Sequence, residues 1–121
     1  TFGGNPLAVR AGVETVRIME EDGLLENAAK VGLHLQTALI TQLMGVAGVK
    51  QVRGKGLMLG VELDRPCGVL VGRCAEAGLL LSVTADSVIR MVPPLILSTA
   101  EADEIVTKLV PLIKAFLAEQ A

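Results

Sequence analysis

The sequence has no tryptophan and no tyrosine, and aromatic residues make up only 2% of it. It has one histidine, two cysteines and few charges, which come to 20% of its 121 residues. Each scarcity excludes something. Single-stranded nucleic acid is gripped by stacking rings and duplexes by a basic stripe. Here the rings are missing, the net charge is −2 and the two signs are interspersed. Nucleic acid is therefore not an expected partner. One histidine, His34, allows no Ser-His-Asp triad and no histidine metal cluster. Cys67 and Cys74 are seven apart, which is neither a zinc nor a redox spacing. They read as reduced, buried thiols, which suits a cytoplasmic protein.

Apolar residues are plentiful, at 51% with a mean hydropathy of +0.57. A chain of this length can bury a core without staples. It is also more apolar than a small free-standing domain needs, so part of its surface is expected to meet another body. The membrane is not that body. The longest uncharged stretch, Val31 to Val49, contains His34, Gln36, Thr37, Thr41 and Gln42 and breaks at Gly45 and Gly48. It reads as a globular helix followed by a turn. The opening residues do not have the basic-then-apolar pattern of a secretory signal.

The chain opens TFGGNP. Asn5 is a good N-cap and Pro6 a favoured first helical residue, so a helix is expected to about Glu21. Arg10, Glu14, Arg17 and Glu21 fall on one stripe of it, and nearly everything else is apolar or small. A helix with one narrow polar stripe is built to be covered on most sides. Asp22 reads as the cap of a second helix, about Leu24 to Met44, with Leu24, Ala28, Val31, Leu35 and Ala38 facing a core. Gly45 is its expected stop.

Residues 56–63, GLMLGVEL, alternate with period two: Leu57, Leu59, Val61 and Leu63 face one side, Met58, Gly60 and Glu62 the other. A short helix over 68–77 follows, then strands at 79–83 and 88–92, which Pro93 and Pro94 close. The last helix opens with the capping box Ser98 to Glu101. Its core stripe is Ala102, Ile105, Val106, Leu109, Leu112, Ile113, Phe116 and Leu117, and Pro111 interrupts its hydrogen bonds. The expected fold is α+β: two helices, then β-α-β-β-α. Its three-stranded mixed sheet carries the helices on one face. A right-handed crossover makes the first two strands parallel, with the third between them and antiparallel to both.

Two places can carry chemistry. Gly3 and Gly4 let backbone amides approach an anion, Thr1 adds a hydroxyl, and the helix start adds a positive dipole end. A phosphate is the natural guest, although an ordinary Gly-Gly turn before an Asn cap is the commoner use of such a hexapeptide. Arg90 lies between Val88 and Val92 on one strand face. A guanidinium among apolar groups needs an anionic partner, and its fork suits a carboxylate. The partner is either a substrate carboxylate or, by the commoner pattern, a structural one, for which Glu62 on the neighbouring strand is the obvious candidate. RGKGLMLG, residues 53–60, is not a phosphate loop, because its glycines precede a strand instead of opening a helix. Gly54 and Gly56 read as a bend, and Gly60 as a close approach of backbone to a neighbour. None of the five lysines reads as a desolvated nucleophile.

TFGGNPLAVRAGVETVRIMEEDGLLENA, RGKGLMLGVEL and VIRMVPPLIL, in that order and spacing, resemble the C-terminal part of class III (fold-type I) pyridoxal-phosphate aminotransferases. The acetylornithine-type and ornithine-type branch is the most similar. The resemblance covers essentially the whole chain. It implies a homodimer or higher homo-oligomer built from a large cofactor domain and a small C-terminal one, with an amino acid as substrate. Residues 1–22 are then the phosphate loop and a connecting helix packed on the large domain or dimer interface, and residues 23–121 the small domain. Thr1, Gly3 and Gly4 match the loop that meets the cofactor phosphate of the neighbouring subunit. Arg90 matches an arginine near the substrate carboxylates, which in relatives alternatively pairs with an active-site glutamate. In the family the Schiff-base lysine precedes TFGGNP, so this chain alone is expected to be inactive. Without the resemblance, the element order also suits a ferredoxin-like amino-acid-binding or regulatory module, or an association domain using the first helix.

Overall fold

The computed structural model describes residues 3–119. Eight elements follow one another: α1 (Pro6–Glu21), α2 (Leu24–Leu43), β1 (Val49–Lys55), β2 (Met58–Leu63), α3 (Val69–Glu76), β3 (Ser82–Thr84), β4 (Val88–Met91) and α4 (Thr99–Glu119). The fold is α+β. One part of the sequence expectation is corrected: the sheet has four strands, in the order β1-β2-β4-β3, and every neighbouring pair is antiparallel. β2 and β3 do run parallel with β4 between them, as the crossover argument requires. The additional strand is β1, which forms a hairpin with β2 around Gly56, where φ is +56°.

β1 has an irregularity that hides it in the sequence. Its register against β2 shifts between Val49 and Gln51, so Val49 pairs with Leu63 and Gln51 with Glu62. The shift turns both Val49 and Val52 toward the helices, three residues apart. Period two is lost, and with it the signal by which a strand is read.

The sheet separates two environments. Leu59, Val61, Leu63, Ile89 and Met91 are buried under the helices. They meet Leu35, Leu39 and Leu43 of α2, and Leu109, Ile113 and Phe116 of α4. A large side chain buried so fully contributes about 1.5–3 kcal/mol before ordering entropy is subtracted. The opposite face bears Arg53, Gly60, Glu62, Thr84 and Arg90, with no helix over it among the described residues.

The helix ends follow local chemistry. The Asn5 side chain accepts from the Leu7 and Ala8 amides at 2.9 and 3.3 Å. Ser98 and Glu101 cap α4 reciprocally, and the Ser98 hydrogen bonds hold the Glu101 carboxyl below its usual range. Asp22 is not a cap for α2. It closes α1, its amide donating to the Ile18 carbonyl, and Gly23 at φ +63° starts α2. Burial raises the Cys67 and Cys74 thiols, which keeps them protonated and unreactive.

The β3–β4 loop places two non-glycine residues in the left-handed region, Ala85 at φ +48° and Asp86 at φ +63°. Alanine has no side-chain hydrogen bond to compensate the steric cost, about 1–2 kcal/mol. Asparagine populates this region more readily. Ala85→Asn should stabilise the chain by roughly 0.5–1 kcal/mol, read as a higher urea midpoint at unchanged slope. A lower midpoint would show that the loop is not held in this conformation.

Candidate functional site

The candidate site is the open face of the sheet, around Arg90. Four residues line up across the strands in one row: Arg53 pairs with Gly60, Gly60 with Arg90, and Arg90 with Ser82. Members of a row project to the same side, so two guanidiniums flank a position with no side chain. The resulting groove is lined by Arg53, Lys55, Met58, Gly60, Thr84 and Arg90. A Cβ at Gly60 would lie 3.5 Å from Val88 Cγ1 and 3.9 Å from Arg53 Cγ, which is ordinary contact. Gly60 therefore opens the groove instead of admitting a close backbone. The close backbone approach is elsewhere, at Gly32 against Gly56.

Arg90 is exposed, and among the described residues it has no side-chain hydrogen bond or ion pair. The structural partner expected from the sequence is engaged on its other side. Glu62 Oε1 lies 3.2 Å from Arg53 Nη1, and Glu62 Oε2 lies 3.8 Å from Lys50 Nζ. Sequence reasoning missed this because Arg53 and Lys50 belong to the strand hidden by the register shift. What remains is a guanidinium fork, in a groove, without a protein anion.

The opening loop is a separate place. Thr1 lies outside the described residues. Gly3 and Gly4 form a turn ahead of α1, with Gly4 at φ +82°, and a Cβ at either would meet nothing within 4 Å. The turn requires a glycine at residue 4 for its backbone angle and leaves open space beside it. The first helical turn does not offer the anion site expected of it. Pro6 has no N–H, Asn5 occupies those of Leu7 and Ala8, and Val9 donates to the Asn5 carbonyl at 2.8 Å. A phosphate held here is held by the loop amides. The structure does not bring Gly3 and Gly4 to Arg90, since α1 packs on α2 alone.

None of the lysines is buried, and Lys108 is engaged with Glu104 at 2.9 Å. His34 is exposed, with Nε2 2.7 Å from Asp103 Oδ1, a bond from α2 to α4. No group of three potential metal ligands occurs among the described residues. No helix among them is long and apolar enough to cross a membrane. A second cleft, between the end of α2 and β1, is lined by Ile40, Met44, Val49 and Val52. Apart from Lys50 it has no charged lining, so it is not equipped for chemistry.

α1 bears the apolar surface that composition anticipates. It has no buried residue, and Leu7, Val9, Val13, Val16 and Ile18 are between 40% and 81% exposed. Arg17 bonds Glu14 and Glu21 along its charged stripe.

Comparison with known proteins locates the chain. The family model described as Aminotransferase class-III matches residues 1–113. "Acetylornithine aminotransferase 1" of Bordetella bronchiseptica is 60% identical over 99% of this chain, which is 30% of that protein. A solved Plasmodium falciparum ornithine delta-aminotransferase superimposes with a TM-score of 0.89 at 34% identity, covering 96% of this chain and 31% of that one. The acetylornithine aminotransferase of Elizabethkingia anophelis gives 0.85 at 28% identity, covering 96% and 30%. The chain thus spans about 30% of the length of these curated relatives.

Proposed function

The chain belongs to the class-III aminotransferase family, and from that premise we propose that it is the C-terminal part of an acetylornithine-type enzyme. The whole enzyme moves an amino group between N-acetylornithine, or an ornithine-like substrate, and 2-oxoglutarate, as a cytoplasmic step of arginine biosynthesis. The observation that carries the reading is Arg90: an exposed guanidinium in a groove, left without an anion while the nearby Glu62 is held by other cations. Each of these substrates has a carboxylate, and a planar fork binds one bidentately. Arg90 receives that carboxylate and orients the molecule that carries it.

Class-III aminotransferases use pyridoxal phosphate. When bound, it supplies the electron sink that lets the amino group move. The residues of this chain fit one part of that cofactor, its phosphate. The turn at Gly3 and Gly4 is open, and its glycines allow amides to approach an oxyanion. Thr1 is proposed to add a hydroxyl donor to the same grip. Because this loop lies apart from Arg90, one copy of the chain serves two sites in a homodimer, giving the phosphate grip to its neighbour and the carboxylate receptor to its own. The exposed apolar side of α1 supports a covering body, either the large domain or the partner subunit.

The chain alone is proposed to be inactive, because none of its lysines stands in a dry pocket where it would serve as a nucleophile. Two measurements test the reading. Mixed with pyridoxal phosphate, N-acetylornithine and 2-oxoglutarate, the chain should give no turnover. A chimera in which it replaces the matching 30% of the Bordetella bronchiseptica protein should transaminate that pair. A chimera that folds, dimerises and retains the cofactor, yet transfers no amino group to 2-oxoglutarate, sinks the proposal.

A further inference from the structure

Arg90 and Glu62 stand on adjacent strands and project to the same side. Gly60 pairs with Arg90 and Glu62 with Val88, so the two charged residues are diagonal neighbours. Side chains of this length reach each other across such a diagonal. An arginine and a glutamate so placed ordinarily form an ion pair, and the sequence points to that pair. The structure separates them. Glu62 leans the other way, to Arg53 Nη1 at 3.2 Å and Lys50 Nζ at 3.8 Å, both on β1. Gln51 accepts from the same Arg53 nitrogen at 3.0 Å, which steadies the guanidinium beside Glu62.

We propose that Arg53, with Lys50, is a positioning residue for the carboxylate receptor: it holds Glu62 on the β1 side of the sheet and so keeps Arg90 unpaired for a substrate carboxylate. The proposal rests on the reading of Arg90 given above and adds a competition within the groove. Lys50 and Arg53 of β1 hold the one carboxylate that Arg90 of β4 would otherwise pair with. Removing Lys50 and Arg53 leaves Arg90, one diagonal from Glu62, as the next cation by strand register, since the third β1 cation, Lys55, stands opposite Met58; the pair that forms closes the receptor. The arrangement also accounts for Gly60. A side chain between Arg53 and Arg90 would meet the Arg53 stem, whereas glycine leaves the space open for a ligand.

Free and ion-paired guanidiniums differ in their reactivity toward phenylglyoxal, so the labelling rate of Arg90, followed by peptide mass spectrometry, reads its freedom directly. The chain with Lys50→Gln and Arg53→Gln should label at Arg90 about two- to fivefold more slowly than the native chain, the range an exposed ion pair supports. Adding Glu62→Gln to those two changes should restore the native rate. Glu62→Gln by itself should leave it unchanged, because Glu62 is not on Arg90 to begin with. Arg53→Lys, which keeps the charge on β1, should stay within about twofold of native and covers the case in which the double variant misfolds. An undiminished rate in a folded double variant overturns the proposal. So does faster labelling on Glu62→Gln alone, which would place Glu62 on Arg90 in the native chain. Glutarate is the separate probe for the reading beneath. If it fails to protect Arg90 of the native chain from the reagent, the receptor role falls, whatever the labelling cycle shows about Glu62.

Discussion

Arg90→Ala in the chimera should lower kcat/KM for 2-oxoglutarate by at least about 30-fold, the loss expected when one partner of a desolvated, hydrogen-bonded charge pair is removed. Arginine offers a carboxylate two parallel N–H donors in fixed geometry, and alanine offers none. Arg90→Lys keeps the charge and loses the fork, so it should recover only part of the activity. Cofactor retention should not change, because the phosphate grip proposed above is assigned to the opening loop, and α1, which follows that loop, packs on α2 and not on the sheet. Steady-state kinetics with absorbance of the bound cofactor separates the two effects. A loss smaller than about threefold would remove Arg90 from the substrate's path.

The second large effect concerns stability. Gly32→Ala should destabilise the chain by about 3 kcal/mol or more, the upper end of what overpacking costs. A Cβ on Gly32 would stand 2.0 Å from the Gly56 carbonyl oxygen and 2.4 Å from its carbonyl carbon. Backbone cannot rotate away as the end of a side chain can. α2 would have to separate from the β1–β2 hairpin, and α2 contributes Leu35, Leu39 and Leu43 to the core. The same substitution at Gly72 should have the opposite sign. Gly72 lies within α3, is exposed, and a Cβ there meets nothing within 4 Å. Gly72→Ala should stabilise by roughly 0.5–1 kcal/mol through helix propensity alone. Urea midpoints of the two variants check the contrast. Equal effects would mean that α2 does not sit against the hairpin.

These two glycines show where reading a sequence stops. Gly32 and Gly72 both sit in helical patterns, and nothing local separates them. The first faces a backbone 24 residues away and the second faces open space. The Arg90 groove shows the same limit. Arg90 itself was legible, as a guanidinium between Val88 and Val92 on a strand of period two. Its partner was not. The sequence offers Glu62 as the nearest carboxylate, and only the added strand β1 brings in the cations that hold Glu62 on the other side. β1 went unread because its register shift moves Val49 and Val52 out of alternation.

The helices were largely written in the chain. Asn5 and Pro6 start α1, Ser98 and Glu101 start α4, and apolar residues at helical spacing name the buried side of each long helix but α1. The exposed apolar side of α1 was anticipated too, because a helix with one narrow polar stripe has more apolar surface than this chain can cover. The sequence by itself therefore determined the four helices, three of the four strands, most of the core stripes and the family, since these depend on residues close together and on their spacing. The tertiary structure alone decided the fourth strand, the tight seat of Gly32 and the freedom of Arg90. Each of those depends on which atoms meet across the sheet, and cross-strand neighbours follow from register, which a single irregular residue is enough to change.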